Sequence, residues 1–151
     1  FINCSIAVPM DNDLEDAINE AYSKGIIVVA ATGNDGRNRL LYPASYLNCL
    51  SVGSINKSLE ISPFSNYNVF MTMVAPGEDI IFDIGGEKIK DSGTSFSAPL
   101  VTGTLALLKE KLKEELGRKP KYSELYNELI ENCVIANNID RIKQGHGYLK
   151  L

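Results

Sequence analysis

Asp91-Ser92-Gly93-Thr94-Ser95-Phe96-Ser97-Ala98-Pro99 is the stretch around which the other features of this chain are arranged. Its small residues lead directly into an apolar run over residues 100–112 that has helical spacing. Small residues allow a backbone to turn sharply or to approach a ligand closely, and a helix begins with unpaired N–H groups and a partial positive charge. Two interpretations follow. Either Thr94, Ser95 or Ser97 caps the helix, or a serine hydroxyl here attacks a carbonyl group.

The first third of the chain has the pattern of a strand, a helix and a second strand. Residues 1–7 favour a strand, and Asp11-Asn12-Asp13 predicts a helix start with Asp11 or Asp13 as the cap. Lys24-Gly25 is a typical helix end. Residues 26–31 form a continuous apolar run, as expected of a strand that is buried on both faces of a parallel sheet. This order predicts an α/β fold with a mostly parallel sheet and flanking helices.

The rest of the chain continues in the same fold class without a repeat or a linker, so residues 1–151 are predicted to form one domain. The further predicted elements are strands over 49–55, 69–74 and 148–151, a hairpin of 80–84 with 87–89, a helix over 95–116 ended by Gly117, and a helix over 123–133 capped by Ser123.

Composition excludes several classes of function. The net charge of −4 and a pI of about 5.0 argue against nucleic-acid binding, and no apolar run approaches the roughly 20 residues of a membrane span. No phosphate-binding glycine motif opens a helix, which argues against a nucleotide-binding domain. The three cysteines, Cys4, Cys49 and Cys133, have neither metal-ligand nor disulfide spacing. They are more typical of a reducing compartment, although they do not define a location.

Gly93-Thr94-Ser95-Phe96-Ser97-Ala98-Pro99 resembles the nucleophile signature of the subtilisin-like serine proteases, the subtilases. Ala31-Thr32-Gly33-Asn34-Asp35-Gly36 is similar to the loop that carries the family's oxyanion-hole asparagine. Other segments resemble family blocks in the family's order, namely residues 1–5, 42–44 with 50–54, 62–66, 74–77 and 145–149. The resemblance covers nearly the whole chain and implies a subtilisin-like, doubly wound sheet.

The resemblance also implies a role for individual residues. Ser95 is expected to be the nucleophile of a serine endopeptidase, and the side-chain amide of Asn34 is expected to stabilise the oxyanion. The residues themselves leave an alternative open, in which Asn34 adopts a left-handed turn conformation between Gly33 and Gly36. Two segments are expected to bind a peptide or protein substrate, namely Ser5, Ile6 and Ala7 along the peptide, and Ala31, Thr32 and Gly33 around the residue before the scissile bond.

The triad of this family follows the order Asp, His, Ser, and the sequence lacks family-like positions for the first two. The only histidine, His146, lies in the closing Gly-x-Gly segment and is expected to be a surface turn residue. We therefore expect residues 1–151 to be the C-terminal half of a subtilase catalytic domain. The N-terminal half, in another chain or segment, would be the partner that supplies Asp and His, and this chain alone would be inactive.

Two departures from the family pattern keep a second hypothesis open. Ala7-Val8 stands where many subtilases have two glycines, and Leu41 stands where a small residue would leave the primary pocket wide. These side chains predict either a restricted specificity or a catalytically inactive binding or regulatory module, a pseudoprotease.

No metal or cofactor is expected to take part in the chemistry. The backbone carbonyls of Ala44, Tyr46 and Cys49 resemble a weak cation site of some subtilases, but acidic partners are scarce in that loop. A helix cap explains Asp11-Asn12-Asp13 better than calcium does, because the rest of a calcium-binding loop is absent.

Overall fold

A computed structural model describes residues 1–150 of the chain. Its strands are β1 (Ile2–Cys4), β2 (Val28–Ala31), β3 (Cys49–Ile55), β4 (Met73–Pro76), β5 (Ile80–Ile84), β6 (Glu87–Asp91), β7 (Cys133–Val134) and β8 (Tyr148–Leu149). Its helices are α1 (Asn12–Ser23), α2 (Thr94–Leu116), α3 (Tyr122–Glu131) and α4 (Arg141–Gln144).

Six of the strands form one sheet in the order β1-β2-β3-β4-β8-β7. The pairs from β1 to β8 are parallel, and only β7 runs antiparallel to its neighbour β8. Strands β5 and β6 form a separate antiparallel hairpin. The carboxyl ends of the parallel strands meet at one edge of the sheet, which is where α/β proteins bind their ligands.

Helices cover both faces of this sheet, and β2 shows why. Its residues Val29 and Ala31 pack with α2 in one apolar cluster, while Val28 and Ala30 pack with α1 in another. Every residue of β2 is buried as a result. The continuous apolar run in the sequence therefore predicted the burial of this strand on both faces, and the predicted α/β fold class is confirmed.

The predicted helix ends agree with the structure in three of four cases, one of which is the end of α1 at Lys24 and the left-handed Gly25. The Asp11 carboxylate accepts a hydrogen bond from the Leu14 N–H at 2.9 Å and caps α1, and Gly117, at φ 64°, ends α2. The prediction that Ser123 caps α3 is wrong. The helix begins at Tyr122, and the Glu124 carboxylate accepts from the Lys121 N–H at 2.7 Å, so Ser123 lies inside the first turn.

Several predicted strands are shorter in the structure. The strand predicted over 69–74 begins only at Met73, because the Asn68 side chain and carbonyl accept from the N–H groups of Phe70 and Met71 and form a turn. The strands predicted over 1–7 and 26–31 are reduced to β1 and β2. The predicted tail strand is present as β8, and its predicted end, Leu151, lies outside the described residues.

Candidate active site

Three chain segments converge at the carboxyl edge of the sheet. Ser5 follows β1, Asn34 lies three residues after β2, and Ser95 is the second residue of α2, which the chain reaches from β4 through the β5–β6 hairpin. Residues separated by up to 90 positions are thereby brought into hydrogen-bonding contact. The parallel order of β1, β2, β3 and β4 is what places these segments side by side.

Ser95 is half-buried at the start of α2, where the first N–H groups have no intrahelical acceptor. Gly93 occupies the N-cap position and Thr94 is the first helical residue. Ser97 donates its hydroxyl hydrogen bond to the Ala75 carbonyl at 2.9 Å. The interpretation of these hydroxyl residues as helix caps is therefore wrong, and the Ser95 hydroxyl has the favourable electrostatics of a helix N-terminus.

Pro99 changes the hydrogen bonding of the turn that carries Ser95. A proline has no N–H, so the carbonyl four residues earlier, that of Ser95, loses its helical donor. The Ser5 hydroxyl donates to this carbonyl at 3.0 Å. Ser5 in turn accepts from the Asn3 side chain at 3.1 Å. Because of Pro99, the Ser95 carbonyl is thus available to accept the hydrogen bond from Ser5, which connects the end of β1 to the Ser95 turn.

Asn34 is held by its side-chain oxygen. Its Oδ1 accepts from the Thr94 N–H and from the Thr94 hydroxyl, both at 2.9 Å. The two donors orient the amide so that its Nδ2 group lies beside Gly93, where an added Cβ would be 3.3 Å away. Gly33, at φ 98°, and Gly36, at φ 67°, are the left-handed residues of this loop, and Asn34 is not one of them. The turn interpretation of Asn34 is therefore wrong.

Thr94 and Asn66 support this arrangement, and the sequence assigned no such role to either. Thr94 is fully buried, and its hydroxyl accepts from the Gly33 N–H at 3.2 Å while it donates to Asn34. Asn66, also fully buried, accepts from the N–H groups of Asp35 and Arg37 at 2.9 and 3.1 Å. Neither residue has a local sequence pattern that predicts these contacts. Thr94 simply precedes a serine, Asn66 lies in a distant loop, and their contacts form only when the chain folds.

A cleft of about 390 Å³ opens in front of these groups. It is lined by seven of the eight residues expected in the site, namely Ser5, Ile6, Ala7, Ala31, Gly33, Asn34 and Ser95, and also by Pro9, Asp35, Arg39, Leu41 and Thr94. The eighth, Thr32, is buried and does not line the cleft. Its carbonyl accepts from the Asn66 amide at 3.3 Å.

The inner end of the cleft is narrow at Gly33. A Cβ on Gly33 would lie 2.9 Å from Cδ1 of Leu41, 2.7 Å from Nδ2 of Asn66 and 3.4 Å from the Ala7 Cβ. Leu41 is only 7% exposed and thus fills space against this glycine. The side chains of Leu41 and Ala7 therefore lie close together beside Gly33 and take up space in the cleft.

The charged groups of the cleft form a pair at its rim. Arg39 lies 3.0 Å from the Asp35 carboxylate, and both side chains are largely exposed. A hydrogen bond from Asn66, together with the Arg39 charge, holds the pKa of the Asp35 carboxyl below its usual range. Asp35 is therefore a weak base, poorly suited to take a proton from a serine hydroxyl.

His146 lies at the opposite edge of the sheet. Its backbone N–H donates to the carbonyl of Thr72, just before β4, whereas Ser95 lies beyond the other end of this strand. The four residues of β4 span about 13 Å at the usual strand rise, and this length separates His146 from the end of the sheet where Ser95 lies. His146 lies in a turn, as predicted, but the predicted surface position needs correction, because the residue is half-buried against Tyr126 and this burial lowers its pKa.

Neither metal ligands nor a disulfide accompany this cleft in the part of the chain that the structure describes. Residues 1–150 contain no cluster of three or more His, Cys, Asp or Glu side chains that could hold a metal ion, and Cys4, Cys49 and Cys133 are free thiols. The weak cation site on the carbonyls of Ala44, Tyr46 and Cys49 stays a prediction. Of the helices within residues 1–150, none has the length and apolar character needed to cross a membrane.

Comparison with known proteins identifies the fold and the family. The sequence matches the Subtilase family over residues 1–147. It is 38% identical to the major intracellular serine protease of Bacillus subtilis (strain 168), and the match covers 100% of this chain and 49% of that protein. An intracellular serine protease of Paenibacillus polymyxa is 37% identical, with 48% of its length covered. The chain thus spans about half the length of these relatives.

Solved structures give the same result. The prenylagaramide maturation protease PagA superposes with a TM-score of 0.88 at 33% identity, over 99% of this chain and 58% of that one. The patellamide maturation protease PatA superposes with a TM-score of 0.84 at 28% identity, over 97% and 57%. The fold is therefore that of the subtilisin-like serine proteases. This chain belongs to the subtilase family.

Proposed function

We propose that this chain is the nucleophile-bearing half of a serine endopeptidase, with Ser95 as nucleophile and Asn34 as oxyanion donor. The observation that carries the proposal is the double hydrogen bond from Thr94 to the Asn34 side-chain oxygen. It leaves the amide N–H groups of Asn34 free to donate next to the turn that holds Ser95. A donor fixed in advance near a serine at a helix N-terminus is what acyl transfer requires.

The proposed reaction proceeds in two steps. The Ser95 Oγ bonds to the substrate's carbonyl carbon while its proton passes to a base, and the Asn34 amide and the Ser95 N–H donate to the oxyanion. The C–N bond then breaks, and the amine fragment leaves with that proton. A water molecule next adds its hydroxyl group to the acyl carbon and gives its other proton to the base. The bond between the acyl carbon and the Ser95 Oγ then breaks, and the Ser95 Oγ takes up that proton as the carboxylic acid product leaves.

The base is proposed to come from outside residues 1–151. His146 is the single histidine, and it lies across the sheet from Ser95, while the cleft carboxylate Asp35 is held ionised with a lowered pKa. We propose that an N-terminal half of the same catalytic domain, in another chain or segment, carries the Asp and His. The complete catalytic domain, below, means this chain joined to that half.

Labelling with a fluorophosphonate, which reacts with activated serines, tests the proposal. The isolated chain should remain unlabelled because no base activates its serine, and the complete catalytic domain should be labelled at Ser95 and should cleave peptides. Labelling of the isolated chain would contradict the need for a second half. A folded complete domain that resists the probe would instead favour the non-catalytic binding module, which the narrowing at Ala7 and Leu41 also motivates.

The substrate residue before the scissile bond is proposed to be small. By resemblance, it would occupy the inner end of the cleft, where Leu41 and Ala7 converge at Gly33. An aromatic or long aliphatic side chain would have to displace the buried Leu41. Glycine, alanine and serine should require no such displacement, because their side chains are small.

Leu41→Ala should shift this preference toward larger residues. In the complete domain, we expect the ratio of kcat/KM for phenylalanine over alanine at this substrate position to rise by about 10-fold or more, since a few methylene groups in an apolar pocket discriminate by that amount. A series of peptides that differ only at this position measures the ratio. Leu40→Ala, which removes the neighbouring exposed leucine, is the matched control and should leave the ratio unchanged. An unchanged ratio in Leu41→Ala would refute the assigned role of this side chain.

A further inference from the structure

The β5–β6 hairpin presents two chemically different faces. Residues opposite each other in an antiparallel pair point to the same side of the sheet. The register therefore places Ile80, Phe82 and Ile84 on one face with Asp91, Ile89 and Glu87, and places Ile81 and Asp83 on the other with Lys90 and Lys88. The first face is mainly apolar, and the second is mainly charged.

The apolar face remains largely open to solvent at its far end. Ile84 is 60% exposed and Ile89 is 36% exposed, while Phe82, nearer the body of the protein, is half-buried. On the opposite face, Lys90 lies 3.0 Å from Asp79, which provides charge compensation there. An exposed row of aliphatic side chains on one face of a hairpin is a feature of binding surfaces.

This apolar face is continuous with the turn that holds Ser95. The Phe82 ring lies 5.3 Å, centre to centre, from the ring of Phe96, the residue that follows Ser95. The Gly93 N–H donates to the Gly77 carbonyl at 2.7 Å, and the Asp79 N–H donates to the Ser92 hydroxyl at 2.9 Å. Both ends of the hairpin are thus fixed to the turn, so the position of the apolar face relative to Ser95 is defined.

The hairpin lies outside the 390 Å³ cleft. In the described part of the chain, the residues that line this cleft come from the end of β2, the segments after β1 and β2 and the first turn of α2, and none comes from the hairpin. A peptide that passes the Ser95 hydroxyl with its N-terminal side in the cleft must leave on another side. Phe96 follows Ser95 directly and is not among the cleft residues, and its ring lies next to Phe82 of the apolar face.

We propose that the apolar face of the hairpin, formed by Phe82, Ile84 and Ile89, binds apolar residues on the C-terminal side of the scissile bond. This proposal rests on the proposed endopeptidase function and specifies its substrates. The occupant is the part of the substrate that departs as the amine fragment. The hairpin therefore contributes to formation of the acyl-enzyme and is unoccupied when water hydrolyses it.

The experiment compares two substrates of the complete catalytic domain. They share one N-terminal side, and one continues with four apolar residues after the scissile bond, whereas the other carries only a small aromatic amine as leaving group. The double variant Ile84→Ser/Ile89→Thr removes the exposed apolar side chains of the face. We expect its kcat/KM for the long substrate to fall by about 10-fold, with kcat/KM for the short substrate unchanged.

Ile81→Thr is the matched control, because Ile81 belongs to the same hairpin, is 67% exposed and points to the opposite face. It should leave both substrates unaffected. An equal loss on both substrates, or the same loss in Ile81→Thr, would overturn the proposal, because each indicates a general effect on the hairpin. If the unmodified domain cleaves neither substrate, the endopeptidase function fails and the hairpin proposal fails with it. If it cleaves both and the double variant does so equally well, only the hairpin proposal fails.

Discussion

Ser95→Ala in the complete catalytic domain should abolish peptide hydrolysis, with a loss in kcat of about 10⁶-fold, the size known for subtilisin when its serine is removed. The alanine retains the helix start and removes only the atom that bonds to the substrate carbonyl. Neither the hydrogen bond from Ser5 to the Ser95 carbonyl nor the bonds of Thr94 involve the Ser95 hydroxyl. We therefore expect the thermal unfolding of the variant to match that of the unmodified domain.

Two measurements make the Ser95 result specific. Ser58→Ala replaces an exposed serine in a turn on another part of the surface and should retain full activity. Mass spectrometry after fluorophosphonate treatment should find the label on Ser95 and on no peptide of the Ser95→Ala variant. Substantial turnover by Ser95→Ala would show that another group is the nucleophile and would require a different reaction from the one proposed.

Asn34→Ala should lower kcat by about 10²- to 10³-fold and leave KM nearly unchanged, a magnitude taken from the oxyanion asparagine of subtilisin. The negative charge on the substrate oxygen develops only as Ser95 attacks, so the lost hydrogen bond affects the transition state more than the bound substrate. The change leaves the two Thr94 donors without the Asn34 oxygen, so we expect some loss of stability. Asn66 still holds the loop, and we expect the domain to fold.

Asn38→Ala is the control for Asn34, since Asn38 is exposed in the same loop and does not line the cleft. It should behave like the unmodified domain in both kcat and KM. A rise in KM without a fall in kcat for Asn34→Ala would assign Asn34 to substrate binding and would remove it from the oxyanion role. The separation of kcat from KM is therefore the decisive measurement.

Much of the fold could be predicted where burial imposes a simple pattern. The continuous apolar run at β2 follows from burial on both faces of a parallel sheet, and the strand predicted over 49–55 has the bounds of β3. The strand predicted over 69–74 was wrong over its first four residues, because the Asn68 side chain forms a turn there. Local hydrophobicity cannot distinguish a strand from such a turn. The Asn68 side chain takes the backbone hydrogen bonds that a strand would need, but the pattern of apolar residues stays the same.

The sequence by itself determined the fold class, the family and the two residues, Ser95 and Asn34, to which the chemistry is assigned. They could be found because each lies in a short block of sequence that resembles a subtilase motif, whereas the residue types alone also allowed a helix cap and a turn. Only the tertiary structure decided how Asn34 is held, through Thr94 and the buried Asn66, and why Ser5 bonds to a carbonyl that Pro99 leaves without a donor. These contacts join residues that are about 30 to 90 positions apart. They depend on the parallel strand order, which brings the carboxyl ends of the strands to one edge and which no local stretch of sequence encodes.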